Sequence, residues 1–144
     1  MNKLINALSI VALALILSAC YRSELNLPPG DAEAGRATFV LLQCNECHSM
    51  EGVQYAGSES HDINESLGGQ TTKVKTYAEL VTSIINPSHK LSRGDTGNTV
   101  TEGGTSMMRS YNETMTVEEL TNLVTFLESK YEIWVPNDYQ YPVP

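Results

Sequence analysis

The sequence predicts a single all-α domain of three main helices joined by wrapping loops. Three observations lead there. Apolar residues recur at three- and four-residue spacing in three stretches, each opened by a capping residue. The segments between them are polar and rich in Gly, Ser, Thr and Asn, which is the composition of turns. No alternation of strand and helix patterns runs along the chain.

Before the first helix comes a leader. Lys3 precedes an apolar run from Leu4 to Leu17, a charged region followed by a short hydrophobic one, as in a signal peptide over 1–19. The run is short for a membrane span. It ends in Leu17-Ser18-Ala19-Cys20, which resembles the bacterial lipobox. The resemblance implies that Cys20 is acylated, becomes the mature N-terminus and anchors the chain to a membrane. The alternative is an uncleaved N-terminal helix with Cys20 a bystander. On either reading the body lies outside the cytoplasm. Tyr21 stands where an inner-membrane retention signal has aspartate, which leans towards an outer membrane. Residues 20–30 form a tether ending Pro28-Pro29-Gly30, extended by its composition.

Asp31 is the expected cap of the first helix, with Glu33 complementing the helix dipole. Ala32, Gly35, Phe39 and Leu42 share one face. A mid-helix glycine costs about 1 kcal/mol against alanine, so Gly35 implies a second helix crossing closely there.

The first helix leads into Cys44-Asn45-Glu46-Cys47-His48, the C-x-x-C-H pattern of c-type haem attachment. Two thiols add to the porphyrin vinyl groups, and the adjacent imidazole of His48 binds iron. A structural zinc would need further ligands, and Cys20 is the one other cysteine. His61 and His89 are not at finger spacing. A thiol redox pair would need a strand-and-helix alternation that is absent.

Residues 49–75 read as loop. His61 reads as a surface histidine, with a sixth-ligand role as the sharper alternative. Lys73, Lys75 and Tyr77 either meet haem propionates or form a solvated stretch. Thr76 and Glu79 form a capping box opening a helix over 77–85, with Leu80, Val81, Ile84 and Ile85 on its apolar face. Asn86-Pro87 stops it. His89, just beyond, reads as exposed.

Residues 91–110 make a long glycine-containing loop, with Gly94, Gly97, Gly103 and Gly104, of the kind that serves function. It carries Met107 and Met108, and a thioether on iron raises the reduction potential. Adjacent side chains point apart, so one of the two would ligate. Thr116 and Glu119 form a second capping box, opening a helix over 117–131. Met115 and Leu120 are its hydrophobic staple. Val117, Leu120, Leu123, Val124 and Leu127 form its stripe, with Phe126 beside it. Residues 132–144 are a Pro- and Tyr-rich extension.

From Asp31 to Tyr131 the chain resembles the class I cytochromes c. Gly35 and Phe39 match the first helix of that family, which runs into C-x-x-C-H. Ser83-Ile84-Ile85-Asn86-Pro87-Ser88 resembles its stretch before the methionine loop. Leu123, Phe126 and Leu127 match its last helix. Met108-Arg109-Ser110-Tyr111-Asn112 resembles its Met-Pro-x-Tyr-Asn loop, with Arg109 in the proline position. The resemblance implies one covalent haem c, held by Cys44 and Cys47, with His48 proximal and Met108 distal (Met107 the alternative). It implies a domain over 31–131. A Gly-Pro carbonyl normally accepts the second ring proton of the axial histidine, but Gly52 and Gly57 have no such proline.

The implied function is a membrane-anchored, extracytoplasmic one-electron carrier, not an enzyme. The alternatives are a haem subunit of a larger membrane oxidoreductase and a gas sensor or haem enzyme with a displaceable sixth ligand. No paired nucleophile and base, carboxylate dyad or phosphate loop stands out. The chain has 144 residues, suiting one domain, and a formal charge of -8. Without residues 1–19 it keeps 8 basic against 17 acidic side chains. That excludes a basic nucleic-acid interface and favours redox partner proteins with a basic docking patch.

Overall fold

The computed structural model describes residues 27–57, 59, 62–91, 101–102 and 104–135. The signal peptide, Cys20 and the tether as far as residue 26, His61, Gly94, Gly97, Gly103 and the end of the tail lie outside the described residues.

Helix α1 (Ala32–Leu41) starts as its sequence predicts. The Asp31 carboxylate accepts from the Ala34 amide at 2.7 Å. The Asp31 amide donates in turn to Asn122 Oδ1 at 2.7 Å, which ties the cap to the last helix. Gln43 then turns the chain with φ 59°, the one non-glycine residue with positive φ among the described residues. It leads into a 3-10 turn, Cys44–Glu46.

Helix α2 (Tyr77–Ile85) has the full capping box. The Glu79 amide donates to Thr76 Oγ1 at 3.2 Å, and the Thr76 amide to Glu79 Oε2 at 3.0 Å. It ends at Asn86, as Pro87 requires, and a 3-10 turn, Pro87–His89, follows. Helix α3 (Val117–Glu128) has the same box from Thr116 and Glu119. It stops three residues before the predicted end. Ser129 Oγ caps the Phe126 carbonyl at 2.6 Å, and Tyr131–Ile133 leave as strand β6.

The all-α expectation is therefore overturned, and the fold is mixed α/β. Strand β1 (His48–Met50) pairs in parallel with β2 (Glu65–Leu67), and β3 (Gly69–Thr71) in parallel with β6. A small antiparallel pair joins β4 (Thr101–Glu102) to β5 (Thr105–Ser106). None of these strands exceeds three residues, too short for an alternating pattern to register. Their partners are remote in sequence, so no hairpin signal marks the parallel pairs. Gly68 makes the turn from β2 into β3 at φ +85°, and a Cβ there would press on the Lys130 carbonyl oxygen at 2.8 Å. The Gly69 amide donates to that same oxygen at 2.8 Å.

The core lies where α1, α2 and α3 meet. Phe39, Leu80, Ile84, Leu123, Val124, Phe126 and Leu127 are buried, with Met50 from β1. Phe39 and Phe126 pack edge to face with centroids 5.9 Å apart. At Gly35 the two outer helices come so close that a Cβ would collide with the Asn122 carbonyl and reach Phe126 Cβ at 2.7 Å. This is the crossing that the glycine implied. Met115 and Leu120 both pack against the core, whereas Val117, expected on the stripe, is 60% exposed. Its place in the first turn precedes the crossing.

Two predictions follow from this packing. Gly35→Ala should lower stability by about 1–3 kcal/mol through overpacking, read as a lower urea midpoint with an unchanged slope. The second concerns acid. Hydrogen bonds from the Thr116 backbone and hydroxyl hold the Glu119 carboxyl below its usual range. A folded-state value below the unfolded one adds stability above the ordinary carboxylate range, lost as pH falls through the lowered value. The gap in urea midpoint between the protein and Glu119→Gln should therefore be widest at neutral pH and close under acid.

Candidate functional site

The C-x-x-C-H segment is shaped by hydrogen bonds on both sides. The Cys47 amide donates to the Cys44 carbonyl at 3.2 Å, closing the 3-10 turn. The Glu65 amide then donates to the Cys47 carbonyl at 2.8 Å, starting the β1–β2 ladder. In that ladder His48 stands opposite Glu65. His48 Nδ1 lies 3.3 Å from the Glu65 carbonyl oxygen. A carbonyl can only accept, so this contact puts the proton on Nδ1 and leaves Nε2 with its lone pair. Burial lowers the His48 pKa and the Glu65 backbone bond opposes it in part, so the ring is neutral and a competent ligand.

Glu65 is the partner that sequence reasoning missed. Its main-chain oxygen, brought alongside by the parallel strand, orients the ring and fixes its tautomer. No side-chain signal could have marked it, because the acceptor is a main-chain oxygen 17 positions downstream.

Cys44, Cys47, His48, Met107 and Met108 all line one cavity of about 570 Å³. That volume is in the range of small-molecule and cofactor sites, roughly 300–1,000 Å³. Phe39, Leu80, Ile84, Leu123 and Leu127 carry the apolar core to its wall. Of the polar candidates, Lys75 lines it, while Lys73 and Tyr77 do not. Tyr77 packs against the core instead. His89 is exposed as expected, yet it too borders the cavity, with Nδ1 2.8 Å from the Asn86 carbonyl oxygen. Lys90 and Tyr111 border it without having been singled out for it.

The methionine loop is held at several points. The Met108 amide donates to Ser106 Oγ at 3.1 Å, and the Ser106 amide to Ser88 Oγ at 3.1 Å. Tyr111 donates its hydroxyl to the Leu42 carbonyl at 2.6 Å, and Asn112 its amide to the Ile85 carbonyl at 2.8 Å. Both methionines face the same cavity, so the loop offers a thioether from either.

Cys44 and Cys47 are free thiols, each half-buried. Burial pushes the Cys44 thiol up to about 11 and raises Cys47 as well. A dithiol redox catalyst depresses its attacking thiol, so this site runs the opposite way. Among the described residues no three His, Cys, Asp or Glu side chains converge as a metal-binding group. The donor set at the cavity is instead two thiols, the imidazoles of His48 and His89, each with Nδ1 against a backbone carbonyl, and a thioether pair. That set fits a haem bonded through both sulfurs.

In chain that carries its thiols free, Cys44 should alkylate slowly at neutral pH, and its rate should still be rising as pH approaches about 11. Peptide mass spectrometry after timed iodoacetamide treatment reads this out. A Cys44 rate that levels off near neutral pH would show an activated thiol.

No family model matches the chain, and no curated protein or solved structure does either, so what the site can do is argued from its own residues.

Proposed function

We propose that the chain is a monohaem c-type electron-transfer protein related to the class I cytochromes c, anchored outside the cytoplasm through Cys20. One observation carries the reading: Cys44, Cys47, His48, Met107 and Met108, separated by about sixty residues of sequence, line a single cavity of about 570 Å³. When bound, haem would supply a one-electron iron couple. The chain's own residues do the rest. Cys44 and Cys47 would hold the group by thioether bonds. His48 offers Nε2 because Glu65 occupies Nδ1. Met108, with Met107 as its alternative, offers the second axial donor. Lys75 and Lys90 at the cavity suit the negative propionates. With His48 and a methionine both donating to it, the group would offer small molecules little access, which favours electron transfer over catalysis. The net charge of -8 suits a basic docking patch on a partner, in an association that weakens with salt.

Among the described residues no helix is long and apolar enough to cross a membrane. The anchoring part of the proposal is supported by the lipobox-like Leu17-Ser18-Ala19-Cys20, which lies outside the described residues.

A second reading is favoured by one feature. Ile133, Trp134 and Val135 are 60%, 50% and 69% exposed, a continuous apolar run leading into the tail. A fixed subunit of a membrane oxidoreductase would use such a run as interface. Gentle detergent extraction that yields a stoichiometric complex would select this reading over a diffusing carrier.

The protein purified after export should carry the mass of one haem in addition to the acyl groups on Cys20, with neither Cys44 nor Cys47 open to alkylation. The ferric form should show the near-infrared methionine-to-iron band, absent in Met108→Ala and kept in Met107→Ala. A band that survives Met108→Ala moves the ligand to Met107. Absence of haem sinks the proposal, and rapid carbon monoxide binding to the reduced protein at neutral pH defeats the carrier reading.

A further inference from the structure

Arg109 is the residue by which the methionine loop departs from its resembling family, and it is not idle. Its Nη1 donates to Gln43 Oε1 at 3.0 Å and its Nη2 to Glu46 Oε2 at 2.9 Å. Gln43 and Glu46 are the residues immediately before Cys44 and Cys47. One guanidinium fork therefore spans the attachment turn and touches it next to each thiol. Arginine can do this because its donors are planar and divergent, whereas lysine offers a point charge.

We propose that Arg109 is a positioning residue that latches the methionine-bearing loop onto the cysteine-bearing turn. In a Met-Pro loop the backbone supplies stiffness through the fixed φ of proline. Here the loop gives up that restraint and gains a cross-link to the element it must face. The other ties run elsewhere. Ser106 and Asn112 fasten the loop to the end of α2, and Tyr111 reaches only the Leu42 carbonyl at the end of α1. Arg109 links the loop by its side chain directly to the turn itself. The same contact steadies Gln43, whose left-handed backbone is unfavourable for a residue with a Cβ and sets the direction in which the turn leaves α1. The ion pair is partly screened, with Arg109 57% and Glu46 22% exposed, so its effect is modest and salt-sensitive.

The latch's link to iron ligation rests on the haem reading above, but its test does not. Hydrogen exchange at the Met108 amide, measured on the protein as purified, should speed up about three-fold in Arg109→Ala, and in the same direction in Glu46→Gln. Amides of α3 should not change. The double variant should add nothing to Arg109→Ala, since that variant already removes the contact that Glu46→Gln weakens. In haem-bearing protein, imidazole should displace the methionine-to-iron band at about three-fold lower concentration in Arg109→Ala. Arg109→Lys should restore part of either effect. Unchanged Met108 exchange in Arg109→Ala overturns the latch, and so does full rescue by lysine, which would reduce the bridge to bare charge. Wild-type protein without haem would sink the haem reading alone, and the exchange comparison would still decide the latch.

Discussion

The close crossing of α1 and α3 is the constraint on which the rest depends. At Gly35 there is no space for a side chain, and the helices are fixed at backbone distance by the Asn122 carbonyl and Phe126. Asn122 also holds the Asp31 amide, so one residue of α3 sets both the start of α1 and its point of contact. Everything C-terminal to α1 inherits that placement. The cysteine turn leaves its end, and Leu123 and Leu127 of α3 reach the cavity that the turn borders. A looser crossing would shift the attachment turn relative to the apolar wall behind it.

The short strands do the second half of the work. Parallel pairing of β1 with β2 aligns the main chain of Glu65 with the ring of His48, which fixes one nitrogen and frees the other. Pairing of β3 with β6 draws Tyr131 back to the cavity edge. These ladders replace the irregular wrapping loops expected of an all-α domain. They also give the polar middle of the chain backbone partners that it would otherwise have to seek from water.

The helical frame was legible because its signals are local. Asp31, Thr76 with Glu79, and Thr116 with Glu119 each satisfy helix-end donors within three residues, and Pro87 ends α2 by its own geometry. Cys44, Cys47 and His48 stood out because their spacing is that of haem attachment, and the structure places both candidate methionines at the same cavity. What was not legible is non-local. Tyr131 was expected in α3 because it continues a helical run, and its strand partner lies far upstream. Glu65 acts through its backbone, which no side-chain pattern encodes. Arg109 read only as a departure at the proline position, because its two acceptors lie more than sixty residues away.

The β3–β6 ladder has a kinetic consequence. Its two strands come from the middle and the end of the described chain, so their pairing must close a long loop before any contact repays the lost entropy. Local elements such as the capped helices and the 3-10 turn need no such closure. The cysteine turn can therefore take its shape while the far edge of the cavity is still open. An early, half-closed chain would leave both thiols open to solvent, and docking of the last strand would then seal that edge of the cavity.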